Sequence, residues 1–522
     1  MPAVGWRIAV VAAAVMAAVA VSFDVGFSSR LGPGLLPYLA PVGDVAHGRT
    51  PLVDTASRGG WGAIDVLGAI FASVPLGYGT LALVVSAAAA GCALLVLALA
   101  TTVVRPLGAA VLIAGASIVV GALAGPVPDA GAPSSGSMTL LIPLLGAVAV
   151  VRGADRRGWR LVALLSCVLG VLWSPPAAAL TIFAVAAGIG GWPAEARRGQ
   201  ARRCAVACAA GGLAYASAGL ARSGALPDPR IVLATNPLAA SPGEPAATAA
   251  STVLGLLAVL ALGLAWWLWR RDRVTAPPRS ESAVRAIGAV AAPVAVHGLI
   301  VGAPVETAHA AGLTLLLVGI VARTRGVRGT AGFAVAVAAV CACAGTTIAA
   351  RLQTSALYAA IPHQPFDALH IGGDPFDQSL GYNLRVLARR PLVTPDAVVQ
   401  AWPLIPAATR RGDHLLVLLP GPQQAEVLAL RDRSSMLPIG DPTTNDVVGE
   451  LRSRLGDAIR ALPEQARLVT RQDWLAASAE ATAVGEERAA MQALRLVLES
   501  FEARVLVHRS GLVVASLRRR SV

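Results

Sequence analysis

The chain has 522 residues, of which 55% are hydrophobic and only 14% are charged, and its formal net charge is +13. Soluble proteins usually hold an apolar content of about 45–50%. The composition therefore argues against a soluble protein and favours a chain whose solvent is lipid. A basic balance is also typical of nucleic-acid binders, but the basic residues here form short clusters between apolar stretches. We therefore expect no nucleic-acid partner.

Eleven apolar stretches predict transmembrane helices, with the surrounding membrane lipids as partners. In chain order they cover about residues 6–22, 79–102, 107–125, 138–151, 161–174, 176–191, 204–221, 250–269, 286–303, 308–322 and 329–349. The first could also be a signal peptide, but it has no clear cleavage site, so we expect a retained helix. Their many alanines and glycines favour close packing between helices.

The orientation follows from the arginines, which supply all 43 basic residues, a usage typical of GC-rich genomes such as those of actinobacteria. Every second loop is basic, and basic loops are cytoplasmic. The clusters are Arg152, Arg156, Arg157 and Arg160; Arg197, Arg198, Arg202 and Arg203; Arg270, Arg271, Arg273, Arg279 and Arg285; and Arg323, Arg325 and Arg328. This alternation of basic and arginine-poor loops, which we call the arginine phase, predicts a multi-pass plasma-membrane protein. Its N-terminus is cytoplasmic and its C-terminal domain is extracytoplasmic.

Two domains are expected. Residues 1–350 form a multi-span transmembrane domain whose long first outer loop covers 23–78, and residues 351–522 form a soluble extracytoplasmic α/β domain. Within the loop, Gly62–Ser73 predicts a helix at the membrane interface. In the second domain the pattern predicts strands at 414–420 and 467–470, helices at 445–462 and 487–502, and a hairpin of 503–508 with 512–517.

The first outer loop concentrates acidic residues that could carry chemistry. Asp24, Asp44, Asp54 and Asp65 lie in about 40 residues of a chain with 30 acids. Carboxylates at a membrane surface can act as a general base or bind a metal. The alternative is that loops are simply where acidic residues are placed. Neither composition nor spacing decides between these interpretations.

The same loop resembles the first periplasmic loop of GT-C-type glycosyltransferases, the group that includes protein mannosyltransferase and aminoarabinose transferase relatives. An acid, Asp24, follows the first span, and Gly48-Arg-Thr-Pro51-Leu-Val-Asp54 matches a G-x-x-P-x-x-D segment ahead of the predicted interfacial helix. The chain departs from the pattern in having no second acid or histidine beside Asp24, and Gly60-Trp61-Gly62 where relatives have Tyr-Gly. The resemblance implies an α-helical GT-C-like fold and a lipid-linked (polyprenyl-phosphate) sugar donor, with an envelope glycan or protein as acceptor.

The resemblance and the topology together assign candidate site residues. The catalytic carboxylate is expected at Asp24, with Asp44 and Asp54 as the next choices. Arginines predicted on the outer side are candidates for binding the donor phosphate: Arg49, Arg58, Arg222 and Arg230. The residues expected to line the site are His47, Glu306 and His309. No metal-ligand set is predicted and no cofactor is indicated, although a divalent metal stays open.

Other features fit packing better than chemistry, and two other functions stay open. His297 lies within a span, where a packing role is favoured over a ligand role, and Cys204 and Cys208 fit a packing role as well. The chain has no Walker loop, dinucleotide fingerprint or nucleophile elbow, which argues against an ATP-driven pump. A transporter or flippase for lipid-linked sugars, or a non-catalytic envelope scaffold, are the alternatives to the transferase.

Overall fold

The structure is a computed structural model. It describes residues 45, 50, 62–73, 78–123, 135–224, 226, 245–271, 278–301, 304–325, 408–409, 415–419, 434–435, 459, 462, 465–475, 486–509 and 511–520. Contact clustering divides the chain into two compact units. The first comprises Met1–Ser28, Leu83–Tyr215 and Pro237–His363, and the second comprises Ser29–Ala82, Ala216–Asn236 and Gln364–Val522.

The described residues before position 326 are almost entirely helical. A short helix, α1 (Gly62–Ser73), is followed by α2 (Tyr78–Val103), α3 (Leu107–Leu123), α4 (Ser135–Gly153), α5 (Arg157–Trp173), α6 (Pro175–Ile189), α7 (Ala194–Ser223), α8 (Pro245–Arg271), α9 (Pro278–Val301) and α10 (Pro304–Arg325). Helices α2 to α10 correspond to the second to tenth predicted spans. The spans predicted at 6–22 and 329–349 lie outside the described residues.

Four segments of the described helices are long and apolar enough to cross a membrane by length and composition. They are Ala194–Ser223, Thr252–Arg270, Pro278–Ile300 and Thr307–Thr324. The described apolar parts of α2, α3, α4 and α6 are shorter. The hydropathy pattern thus located these helices correctly, because a chain in lipid has to satisfy its backbone hydrogen bonds within each apolar segment.

Two helix starts differ from the sequence-based expectation, and one of them is that of α9, which begins at Pro278, eight residues before the predicted span. Helix α7 begins at Ala194, ten residues before the predicted span, so the arginines from Arg197 to Arg203 lie on a helix rather than in a loop. Arginine and alanine are good helix formers, and hydropathy alone does not register this. Near the end of α8, Trp266 and Trp267 are exposed, whereas Trp269 is buried in the core.

The core of the first unit is built around α10, which packs against α3, α8 and α9. Small residues permit the close approach that the alanine and glycine content predicted. At the crossing of α3 and α10, the Ser117 Oγ donates a hydrogen bond of 2.6 Å to the Gly312 carbonyl oxygen. A Cβ atom at Gly312 would lie 2.5 Å from the Ser117 carbonyl oxygen, so this crossing requires glycine.

The C-terminal part of the second unit contains a five-stranded sheet. Its strands are β1 (Leu415–Leu418), β2 (Ser434–Ser435), β3 (Gln465–Arg471), β4 (Phe501–Arg509) and β5 (Leu512–Arg519), arranged in the order β2–β1–β3–β5–β4. Strand β1 runs parallel to β2 and β3, and β5 is antiparallel to β3 and β4. A helix, α11 (Glu486–Ser500), precedes the β4–β5 hairpin.

The described strands, α11 and the hairpin match the α/β pattern expected for this segment. Leu416, Leu468 and Ala515 share one sheet face and form a buried cluster with Leu494 and Val497 of α11. The alternation of strand side chains places these residues on one face, as period-2 patterning requires. The helix predicted at 445–462 lies outside the described residues, apart from two buried positions within it.

Candidate functional site

The described part of the second unit holds one of the predicted site residues, Arg222, at the last turn of α7. Helix α7 ends at a glycine cap: Gly224 has a φ of 68° and its N–H donates to the Leu220 carbonyl oxygen at 3.0 Å. Glycine adopts this left-handed conformation without a steric penalty, which is why it closes helices. A guanidinium near a helix C-terminus also complements the negative end of the helix dipole. The cap therefore fixes the turn that carries Arg222.

The partner of Arg222 is Asp65 in the first turn of α1. The Arg222 Nη1 donates to the Asp65 Oδ1 at 2.8 Å, and the two residues are separated by 157 positions in the sequence. Ile64 and Leu67 anchor α1 through fully buried side chains. A carboxylate in the first turn is favourable at the positive end of the helix dipole. The ion pair thus joins the first turn of α1 to the last turn of α7, both of which belong to the second unit.

The pair leaves most of the arginine available to a ligand. The side chain of Arg222 is 56% exposed and that of Asp65 is 26% exposed. A guanidinium has five N–H donors in a planar fork, and the contact with Asp65 uses one. Exposed ion pairs contribute only about 0–1 kcal/mol to stability. The pair therefore orients an accessible cation more than it stabilises the fold.

Most of the other residues predicted for the site lie outside the part of the chain that the structure describes. The candidate carboxylates and their neighbours lie outside the described residues: Asp24, Asp44, His47, Arg49, Asp54, Arg58 and Arg230. Glu306 lies in the first turn of α10, and its side chain is outside the described residues. Among the acidic and basic residues of the predicted outer loops, the structure brings Arg222 and Asp65 together in an ion pair.

Glu306 and His309, two of the residues expected to line the site, belong to the first unit. His309 lies half-buried in α10, and His297 lies half-buried in α9. Helices α9 and α10 lie close together near these residues. A Cβ atom at Gly298 would lie only 2.7 Å from the Thr307 Oγ1. Thr307 lies on α10 between Glu306 and His309.

Within the described ranges, no group of three or more histidine, cysteine, aspartate or glutamate side chains is arranged to hold a metal ion. Cys204, which was predicted to pack, is buried with Cys167 and Trp192 in a cluster of the first unit. Cys208 contacts the same cluster.

Asp65 is a site residue that the sequence alone did not single out. It was recognised as one of four acids in the loop, but nothing in a single sequence pairs it with an arginine so far along the chain. The available signal was its place in the first turn of the predicted interfacial helix, where an acid is favoured and where its side chain lies at a helix end.

The chain is similar in structure to ArnT from Cupriavidus metallidurans, which was crystallised bound to undecaprenyl phosphate. The two structures align with a TM-score of 0.53 over 98% of each chain, at 14% sequence identity. Neither a family model nor a curated protein matches the sequence. The end-to-end likeness supports the GT-C-like fold predicted from the first loop. With its apolar helices, the chain is a mostly helical membrane protein of ArnT-like fold.

Proposed function

We propose that this protein is a membrane glycosyltransferase that moves a sugar from a polyprenyl-phosphate donor to an envelope glycan or protein on the outer face of the membrane. The observation that carries the proposal is the likeness to ArnT over 98% of both chains, because that protein was crystallised with a polyprenyl phosphate. A likeness that includes both the helical part and the C-terminal part supports a shared type of donor more than a shared set of spans would.

The chemistry requires a base and an anion-binding group. Transfer of the sugar needs the acceptor hydroxyl to lose its proton as the anomeric bond breaks, and a carboxylate held near that hydroxyl can accept it. The polyprenyl phosphate leaves with its negative charge. Asp24 is our first choice for the base, with Asp44 and Asp54 behind it. His47, Glu306 and His309 are proposed to line the site.

Arginines of the outer segments are proposed to bind the donor phosphate. Arg222 is supported by its geometry, because Asp65 holds one edge of an exposed guanidinium whose other donors face no described carboxylate. Arginine binds phosphate oxygens through two parallel hydrogen bonds, which fixes both position and orientation. Arg49, Arg58 and Arg230 are proposed for the same task on the basis of their predicted outer location.

The topology forms part of the proposal. The arginine phase favours a cytoplasmic N-terminus and an extracytoplasmic C-terminal domain after residue 350. The grouping of Ser29–Ala82, Ala216–Asn236 and Gln364–Val522 in one compact unit supports it, because the arginine phase puts most of each segment on the outer side. We propose that this unit carries the acceptor side of the reaction.

Substitution of the three aspartates tests the catalytic assignment. We expect cells that carry Asp24→Ala, and to a smaller degree Asp44→Ala or Asp54→Ala, to lose a surface glycan that the wild-type protein restores to a deletion strain. Glycan analysis by mass spectrometry makes the measurement. Asp473→Ala is a matched control, since that carboxylate is exposed in the C-terminal domain and pairs with Arg471. Unchanged glycans in all three variants, at normal protein levels, would exclude these residues as the base.

A further inference from the structure

An arginine and tryptophan cluster lies in the first unit, at the end of the helices where the sequence places the cytoplasmic loops. We call it the Arg152 cluster, and it comprises Thr102, Arg152, Trp159, Arg160 and Trp192. The Arg152 guanidinium lies over the Trp159 ring at 4.9 Å, and that of Arg160 lies over the Trp192 ring at 5.1 Å. The Arg152 Nε also donates to the Thr102 Oγ1 at 3.2 Å. Residues from α2, α4, α5 and the turn after α6 therefore meet here.

Within the described part of the chain, the cluster carries positive charge and no acidic partner. Arg152 and Arg160 are both half-buried, and among the described residues neither forms an ion pair with a carboxylate. The adjacent carboxylate, Asp155, is paired with Arg279. Arg156 and Arg279 lie close enough to Arg152 to repel it electrostatically. A half-buried cation is costly unless an anion compensates it, so the arrangement calls for an anionic ligand.

The side chains of the cluster are held in place by the helices. The Arg160 Nε donates to the Gly153 carbonyl oxygen at 3.0 Å, and the Trp192 indole N–H donates to the Val150 carbonyl oxygen at 3.2 Å. A Cβ at Gly153 would lie 3.1 Å from the Trp192 ring, so the indole packs directly on the helix backbone. Groups fixed in this way lose little conformational entropy when a ligand binds.

The surroundings of the cluster favour a lipid over a soluble anion. Leu161, Leu165 and Leu169 on α5 are exposed by 59%, 51% and 44%. Their spacing of four residues places them along one face of the helix, and this apolar stripe begins one residue after Arg160. Such a stripe offers a surface for acyl chains. Tryptophan beside arginine is typical of the level of the lipid headgroups.

From these observations we propose that the Arg152 cluster binds the phosphodiester headgroup of an anionic glycerophospholipid, whose acyl chains lie along the leucine stripe of α5. Basic pockets between transmembrane helices bind such headgroups through arginine. The site is separate from the proposed transfer of a sugar and does not depend on it.

The test is a lipid titration of the full-length protein in a neutral detergent, followed by native mass spectrometry. Dioleoylphosphatidylglycerol is the probe, and dioleoylphosphatidylcholine is the zwitterionic reference. We expect tighter binding of the anionic lipid, and an apparent Kd about tenfold higher for Arg152→Gln, which is the loss of roughly one charge-assisted hydrogen bond. Arg202→Gln is the matched control, because Arg202 is an exposed arginine of α7 in another basic cluster. This control should bind as the wild type does.

Three results would overturn the proposal. They are equal binding of the two lipids, an equal loss in Arg152→Gln and Arg202→Gln, or full displacement of the lipid by millimolar glycerol 3-phosphate, which would indicate a site for soluble phosphates. Should Arg152→Gln fail to fold, Trp159→Leu replaces it. Trp159→Leu removes the stacking surface of Arg152 and is expected to weaken binding of the anionic lipid in the same direction.

Discussion

Reversal of the charge at residue 222, as Arg222→Glu, is expected to lower kcat/KM for a polyprenyl-phosphate sugar by about 10- to 100-fold. A hydrogen bond to a charged group contributes about 1.5–3 kcal/mol, and each 1.4 kcal/mol corresponds to a factor of ten. The substitution also places a carboxylate beside Asp65, which repels both that residue and the donor phosphate. The measurement is steady-state turnover of the purified variant over a range of donor concentrations.

The double variant with exchanged charges, Arg222→Asp with Asp65→Arg, separates a binding role from a structural one. It restores an ion pair of the same two charges but moves the cation from the end of α7 to the first turn of α1. We expect turnover to stay low, because the cation no longer occupies the position at which we propose that the phosphate binds. Recovery to the wild-type rate would mean that the pair merely joins the two helices. Asp65→Asn should have a smaller effect, since Arg222 keeps its charge.

The second large effect is expected in the helix core, where Gly312→Val should strongly destabilise the fold. The added Cβ would lie 2.5 Å from the Ser117 carbonyl oxygen and 3.1 Å from the Gly121 backbone, and backbone atoms of α3 cannot move aside as a flexible side chain can. Overpacking of a tight core costs about 1–3 kcal/mol and sometimes more. We expect a lower Tm in detergent and a smaller yield of monodisperse protein.

Gly263→Val is the matched control for this variant. Gly263 lies in α8, and a Cβ there would meet no atom within 4 Å. The same chemical change at that position should leave the Tm nearly unaltered. A similar loss of stability in both variants would show that valine in these helices is itself unfavourable, and it would contradict the role given to the α3–α10 crossing.

The sequence was sufficient to predict elements whose signal is local. Apolar runs located helices α2 to α10 and the buried strand β1, and short strand-like patterns located β3 and the β4–β5 hairpin. The beginning of α7 was missed because an arginine-rich segment reads as a loop by hydropathy although its residues favour a helix. The burial of Trp269 could not be predicted, because a cluster of tryptophans does not reveal which ring faces the core.

Contacts between residues far apart in the chain could not be predicted from the sequence alone. The pairing of Asp65 with Arg222 joins segments 157 positions apart, and no local pattern encodes it. The sequence showed Arg152 and Arg160 only as members of one basic loop, whereas the structure joins Arg152 to Thr102 and Trp159. The catalytic assignment of Asp24 still depends on the resemblance of the first loop, because that residue lies outside the described ranges.

Donor turnover by the purified full-length protein tests the central claim most directly. The protein would be reconstituted in lipid vesicles with a set of radiolabelled undecaprenyl-phosphate sugars and an envelope extract as acceptor. We predict that label passes from the lipid to the acceptor with release of undecaprenyl phosphate, and that Asp24→Ala abolishes this transfer. Movement of intact labelled lipid across the bilayer without cleavage, or binding without either event, would contradict the account and favour a flippase or a scaffold.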